Sequence, residues 1–283
     1  MSVLDIIKLI LFGVIEGVTE WIPVSNTGHL AVASHFLDFS VYRESMEFRE
    51  MFVGSAMFGS AMAALLLFVP GNFLFIRTFR GARKVSRDRS LFWLIAIVSF
   101  LPTLLALLLF GTDLTEFVFA VDSLRNQRLT VVIMIIGAAV TIFAELRNRT
   151  VAWLYERPNE IPPRYLLLAG CAQIVLFLPG ASRFGVILLV LMALGAKRSA
   201  AVSTAVFLSI PSMLTTSLLW MLRSIGSVTG MQISAMITVM IVAFFVSFYM
   251  LRMFVRILSN SEMIRFAKYR AAFGILLLLF FIL

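Results

Sequence analysis

Glu16 and Glu20 lie four residues apart in an otherwise apolar stretch and lead directly into Pro23-Val24-Ser25-Asn26-Thr27-Gly28-His29. A helix turns about 100° per residue, so that spacing puts both carboxylates on one face. An ionisable side chain at membrane depth costs roughly 2.5–3.5 kcal/mol on insertion scales, and such groups are functional-site candidates by default. A second break of similar make-up, Pro179-Gly180-Ala181-Ser182-Arg183-Phe184-Gly185, interrupts another apolar stretch late in the chain. Carboxylates, an imidazole, hydroxyls and one guanidinium at two broken membrane segments point to a buried site for a phosphorylated ligand.

Each residue type has a distinct use there. Gly180, Ser182 and Gly185 let backbone N–H groups approach an anion, and a half-helix starting at that point adds its positive dipole end. Arg183 supplies a planar fork suited to phosphate oxygens. Ser25, Asn26 and Thr27 offer hydrogen bonds, although Ser25 and Thr27 could equally do no more than satisfy backbone groups freed by the break. His29 can act as base, acid or phosphate acceptor. Glu16 and Glu20 could hold a divalent cation such as Mg or Ca, orient His29, or carry a proton. His35, toward the aqueous end of its half-helix, suggests no such role.

The composition sets the environment. Apolar residues make up 61% of the 283 residues and charged ones 14%, with a mean hydropathy of +1.00. A soluble domain carries about 45–50% apolar and about 25% charged residues, so this is an all-α polytopic membrane protein. The single cysteine, Cys171, excludes an internal disulfide. Met1-Ser2-Val3-Leu4-Asp5 has neither a basic n-region nor a cleavage motif, and no removable signal is expected. A net charge of +9 is read as membrane topology rather than as nucleic-acid binding.

The cations cluster. One loop holds Arg77, Arg80, Arg83, Lys84, Arg87 and Arg89; a second holds Arg147, Arg149, Arg157 and Arg164; a third Lys197 and Arg198; a fourth Arg252, Arg256, Arg265, Lys268 and Arg270. By the positive-inside rule these four loops are cytoplasmic. Apolar runs at 51–76, 91–110, 129–146, 201–222, 232–251 and 271–283 then cross once each, about six spans in all. The segment 165–196 begins and ends beside basic loops, with Pro179-Gly180 near its middle, which makes it a re-entrant hairpin. The segment 4–39 must finish outside and most simply starts there. Gly13-x-x-Glu16 aligns with Gly170-x-x-Gln173, and Pro23-x-x-Asn26 with Pro179-x-x-Ser182. The chain thus reads as one membrane domain, 1–283, of two inverted repeats, 1–150 and 151–283, whose broken helices meet at the ligand.

Glu16-Gly17-x-Thr19-Glu20-x-x-Pro23-Val24-Ser25-x-Thr27-Gly28-His29 together with Pro179-Gly180-x-Ser182-Arg183-x-Gly185 resembles the undecaprenyl pyrophosphate phosphatase (bacitracin-resistance) family. The likeness extends more thinly through Gly59-Ser60, Gly170-x-x-Gln173 and Arg198-x-Ala200-Ala201. The resemblance implies a multi-pass protein of the bacterial inner membrane with a site open to the outer face. It implies removal of the terminal phosphate of undecaprenyl diphosphate, for recycling of the cell-wall lipid carrier. By position Glu16 and Glu20 match the family's acidic pair, His29 its essential histidine, and Ser182 and Arg183 its second-motif phosphate binders. Glu16, Glu20, His29 and Arg183 are the catalytic candidates; Ser25, Asn26, Thr27, Gly180 and Ser182 are the substrate-binding ones. Partners would be a polyprenyl diphosphate lipid and the membrane, with a homodimer left open.

Four positions depart from the family pattern. Asn26 replaces a serine that is a candidate nucleophile, Phe184 replaces another serine, Met57 a glutamine and Ser203 a glutamate. A serine route would have to move to Ser25 or Thr27, whereas His29 as nucleophile or as base for water needs no hydroxyl at position 26. The alternative is a non-catalytic homologue that binds or translocates polyprenyl phosphate. The charge map generates the first test: a reporter fused after Arg83 or Arg256 should read from the cytoplasm and one near Ser227 from outside. A cytoplasmic signal at Ser227 would overturn the map and the opposed hairpins with it.

Overall fold

The computed structural model describes residues 2–36, 46–68, 85–119, 124–150, 153–223, 228–260 and 262–282. Among them every long element is a helix. Helix α1 (Val3–Thr19) starts at a reciprocal cap, in which the Asp5 N–H donates to Ser2 Oγ and the Ser2 N–H to Asp5 Oδ2. The chain leaves helical geometry over residues 20–25, around Pro23, and resumes as α2 (Asn26–Phe36). The second hairpin repeats the plan. Helix α6 (Pro163–Cys171) tightens into a 3-10 turn (Ala172–Phe177), breaks around Pro179-Gly180, and restarts as α7 (Arg183–Ala193).

Five helices, α3 (Met46–Leu67), α4 (Val85–Phe119), α5 (Leu124–Thr150), α8 (Arg198–Arg223) and α9 (Gly230–Asn260), each contain a stretch long and apolar enough to cross a bilayer. Helix α10 (Ile264–Ile282) follows. The protein is a multi-pass membrane protein. Beyond residue 68 the expected 51–76 span lies outside the described residues, as do most of the first basic loop and residues 224–227. The last span differs from expectation. The helix that carries it, α10, begins at Ile264 rather than at 271 and is not among the five above, and Arg265, Lys268 and Arg270 are helical residues and not loop markers. Arg270 is 4% exposed.

Helices α3 and α8 pack on each other at the centre. Helix α3 also lies along α9, α1 on α9, α4 on α6 and α8, and α10 on α5. The core includes Phe12, Trp21, Phe52, Phe184 and Phe207, all fully buried. Leu105, Leu108 and Leu109 on α4, Phe143 on α5 and Phe245 on α9 are exposed, as side chains facing lipid would be. Hydrocarbon gives apolar helices no reason to leave it, so close approach through small residues and interhelical hydrogen bonds has to hold them together.

Gly13 and Gly17 supply that approach on α1. A Cβ on either would stand 2.8 Å from the Cβ of Val242 or Val246 on α9. On α3, a Cβ on Gly59 would be 2.1 Å from the Met240 carbonyl oxygen. Polar contacts finish the seam: Trp21 Nε1 donates to Ser247 Oγ (3.1 Å), which lies 2.9 Å from Ser60 Oγ and 3.3 Å from the Gly17 carbonyl. Glu16 and Glu20 sit on the helix this seam immobilises.

Gly59→Ala should therefore cost about 1–3 kcal/mol, toward the upper end because backbone rather than a side chain must move. Gly230→Ala, whose Cβ meets nothing within 4 Å, should stay within about 0.5 kcal/mol of wild type. Thermal unfolding midpoints in one detergent compare the two, and equal midpoints would rule out the close α3–α9 approach.

Candidate active site

The two helix breaks touch. The Gly180 N–H donates to Thr27 Oγ1 (3.1 Å), Ser182 Oγ lies 3.5 Å from the Ile22 carbonyl, and Arg183 Nη1 is 3.7 Å from Glu20 Oε1. A Cβ on Gly185 would stand 3.2 Å from the Pro23 Cβ, so a larger residue there would push the breaks apart.

On the first break, Glu16 and Glu20 face inward on the last turn of α1, and both are buried. Asn26, the first residue of α2, reaches back between them. Its Nδ2 is 2.7 Å from Glu16 Oε2 and 2.7 Å from Glu20 Oε2. An amide nitrogen carries two hydrogens, so each carboxylate receives one. Its Oδ1 lies 2.9 Å from the Thr19 hydroxyl, which is itself 2.7 Å from the Ile15 carbonyl; the two accepting glutamates fix the amide's orientation. The second oxygen of Glu16, Oε1, is buried and has no hydrogen-bond partner among the described residues.

Ser25 makes the turn between α1 and α2 with φ of 76°. A non-glycine residue in this left-handed region stores roughly 1–3 kcal/mol of strain. The turn aims the Ser25 carbonyl at His29 Nδ1, 2.7 Å away. It also leaves Ser25 Oγ accepting from the Gly28 N–H and 3.3 Å from Thr27 Oγ1. His29 Nε2 meets the Tyr269 hydroxyl at 2.8 Å, and its ring stacks on Phe273 with centroids 4.2 Å apart. The glutamates could have oriented His29; in the structure Ser25 and two aromatic side chains of α10 do.

On the second break, Gly180 has φ of 88°, and a Cβ there would stand 2.5 Å from the Thr130 carbonyl, so only glycine fits. Its carbonyl accepts from Arg270 Nη2 at 2.8 Å. Ser182 caps α7, accepting the Gly185 N–H at 3.1 Å. Two of the three N–H groups expected to face an anion, those of Gly180 and Gly185, are thus spent inside the protein. Breaking a helix frees backbone donors on both sides, and the nearest hydroxyls take them.

The cation at the contact of the two breaks is Arg183. It is nearly buried; Nη1 and Nη2 both lie 3.4 Å from Met57 Sδ, and Nε has no partner among the described residues. A thioether is a weak acceptor, so a five-donor guanidinium is left with most of its capacity unused. If both glutamates are ionised, the site holds two negative charges against this one positive charge.

The remaining positions fall outside that constellation. Phe184 is core. Ser203 Oγ bonds to the Ser199 carbonyl within α8. Gln173, aligned with Glu16, accepts from Ser212 Oγ and donates to the Leu208 carbonyl, which absorbs it into packing. The side chain of His35 lies outside the described residues. Sequence reasoning quoted Thr19 within the first motif without giving it a role, and missed Tyr269, Phe273 and Arg270 as site neighbours. The one available signal was the Tyr269-x-x-x-Phe273 spacing, which places two aromatic rings on one helix face beside an arginine.

Residues 9–276 match the family model described as bacitracin resistance protein BacA, and the chain belongs to that family. It is similar along its whole length to proteins named undecaprenyl-diphosphatase. The one from Streptococcus mutans is 32% identical over 284 residues, covering 99% of this chain and 97% of the relative. That from Acetivibrio thermocellus is 29% identical over 280 residues, covering 99% and 98%. Undecaprenyl-diphosphatase 1 of Clostridioides difficile is 28% identical over 284 residues, covering 100% and 98%.

The Asn26 bridge predicts an order of stabilities. Asn26→Leu keeps the branching and the number of heavy atoms but leaves two buried carboxylates without their shared donor, at a cost of about 3 kcal/mol. Asn26→Ser, with one hydroxyl hydrogen, can serve one carboxylate and should fall between Leu and wild type. Thermal midpoints measured in detergent test the order, and a Leu variant as stable as wild type would refute the bridge.

Proposed function

We propose that this chain is an integral-membrane undecaprenyl-diphosphatase, releasing the terminal phosphate of undecaprenyl diphosphate and returning undecaprenyl phosphate to cell-wall synthesis. The observation that carries the proposal is Arg183, a nearly buried guanidinium with unused donors. It stands at the contact of two helix breaks and faces an acidic pair. Full-length relatives that bear the name favour hydrolysis over binding or translocation alone.

The chemistry follows from which groups are engaged. Asn26 has no nucleophile to offer, and its amide is committed to the glutamates. The hydroxyls of Ser25 and Thr27 accept the N–H groups of Gly28 and Gly180, and His29 meets Ser25 through Nδ1 on the carbonyl. His29 therefore acts through Nε2, as base toward water. The water oxygen bonds to the terminal phosphorus, its proton passes to Nε2, and the bond to the bridging oxygen breaks with its electron pair going to undecaprenyl phosphate. Arg183 binds the non-bridging oxygens and stabilises charge as it redistributes in the transition state. Ser182 shapes the phosphate side of the site by starting α7.

The residues present suit a hard divalent cation. Glu16 Oε1 is a buried carboxylate oxygen without a partner among the described residues, and Glu20 is its neighbour. Both would be ligands for Mg or Ca, and such an ion would neutralise part of the diphosphate charge. We further place the protein in the bacterial inner membrane with its basic loops in the cytoplasm and the site toward the outer face.

Two inverted repeats, 1–150 and 151–283, account for the packing. Helix α1 lies on α9 as α6 lies on α4, α3 on α9 as α8 on α4, and α1 on α2 as α6 on α7. The pairs α3–α8 and α5–α10 are the ones that such symmetry exchanges with themselves.

Purified protein in detergent should release phosphate from undecaprenyl diphosphate, and His29→Ala should abolish turnover. Arg183→Lys keeps the charge but loses the fork; kcat should fall on the order of 10²-fold, by more than substrate binding weakens. A wild-type protein that binds the lipid and releases nothing would overturn the phosphatase reading.

A further inference from the structure

The group that terminates the second nitrogen of His29 belongs to neither helix break. We propose that Tyr269 is a further catalytic residue for the hydrolysis. Its hydroxyl holds the Nε2 lone pair of His29 in the resting site and yields it to the attacking water when the lipid diphosphate binds. The proposal rests on the phosphatase reading above.

The tautomer comes first. A carbonyl oxygen only accepts, so the 2.7 Å contact between His29 Nδ1 and the Ser25 carbonyl puts a hydrogen on Nδ1. In the neutral ring Nε2 then carries the only lone pair available for proton transfer. The Tyr269 hydroxyl, 2.8 Å away, donates to it. His29 is presented as a base whose basic nitrogen is already occupied.

Two residues one turn apart on α10 set the ring's pose. Phe273 lies 4.2 Å from the imidazole centroid and 11° from parallel, which fixes the plane. Tyr269 lies 5.7 Å away at 13°, and its hydroxyl fixes the rotation within that plane. The two aromatic rings are themselves 6° from parallel. Neither contact alone would do both.

The hydroxyl is placed by the same helix that supports the second break. Arg270, next in sequence, is buried and donates to the Gly180 carbonyl at 2.8 Å, which ties α10 to the Arg183 side of the site. Tyr269 itself is 49% exposed. Its side chain can therefore swing off Nε2 by a rotamer change while Arg270 keeps the helix in register. Water must reach Nε2 for its proton to pass there, and the Tyr269 hydroxyl occupies that position. On binding it moves from Nε2 to the attacking water, donating to its oxygen and holding it against that nitrogen.

Tyr269→Phe in the full chain keeps the ring stack and deletes only the hydroxyl. Two measurements on one detergent preparation test it. The first is kcat and KM for phosphate release from undecaprenyl diphosphate. The second is the rate at which diethyl pyrocarbonate acylates His29, read from the mass of the His29 peptide. Loss of one positioning hydrogen bond should lower kcat about tenfold with KM nearly unchanged, and His29 should be acylated several-fold faster because its lone pair is uncovered. A wild-type kcat, or acylation at the wild-type rate, overturns the proposal. The acylation needs no turnover. If wild-type protein releases no phosphate while Tyr269→Phe still speeds acylation, the phosphatase reading fails and the role in hydrolysis fails with it. If phosphate release is normal and acylation unchanged, Tyr269 alone is removed.

Discussion

Backbone groups freed by a helix break at membrane depth have no water to turn to, and each one left unpaired costs several kcal/mol. This chain breaks two helices and brings the breaks together, so each supplies partners for the other. Thr27 of the first accepts the Gly180 N–H of the second. The Gly180 carbonyl goes to Arg270, the Gly185 N–H to Ser182, and the Ser25 carbonyl to His29. The same bonds that satisfy the breaks hold His29 at the first of them and Arg183 at the second. Separating the hairpins would orphan the backbone and dismantle the site in a single step.

Charge imposes the second constraint, and the departures from the family pattern can be understood through it. Two adjacent carboxylates repel when both are ionised, and in a medium of low dielectric the repulsion is large. Asn26 answers with one amide donating to both, which a serine hydroxyl with its single hydrogen could not do. The exchange of serine for asparagine thus gives up a hydroxyl and gains a double donor. Met57 works in the opposite direction. Where a glutamine carbonyl would engage Arg183 strongly, a thioether engages it weakly, and the guanidinium is left with donors unused. Phe184 surrenders a hydroxyl to fill the core beside α8.

Much of this was legible beforehand, and the boundary has a physical cause. Carboxylates at i and i+4, a proline-glycine break and an arginine in an apolar run are costly at membrane depth wherever they point, so residue type alone exposes Glu16, Glu20, Gly180 and Arg183. Tyr269 and Arg270 are different. An arginine near a helix start looks the same in sequence whether it faces headgroups or protein. Counting Arg270 with Arg265 and Lys268 as a loop marker treated as one class residues that the fold separates. Direction was also hidden in the backbone. Glycines at 180 and 185 announced that N–H groups come close to something, and that something proved to be Thr27 and Ser182 rather than an open anion site.

The glycine seam closes the chain of cause from packing to chemistry. Between apolar helices in lipid there is little hydrophobic gain, so the position of α1 depends on how closely Gly13 and Gly17 let it approach α9. Trp21 and Ser247 then lock that approach in register with Ser60 on α3. Glu16 lies between the two glycines and Glu20 immediately before Trp21, so the residues that fix the helix are neighbours of the residues that meet Arg183. A relaxation of a few tenths of an ångström at the seam would be transmitted along a rigid helical turn to the Glu20–Arg183 pair, which already stands at 3.7 Å. The acidic pair is therefore set by interhelical close packing on one side and by the Asn26 amide on the other, and its geometry is only as good as the weaker of the two.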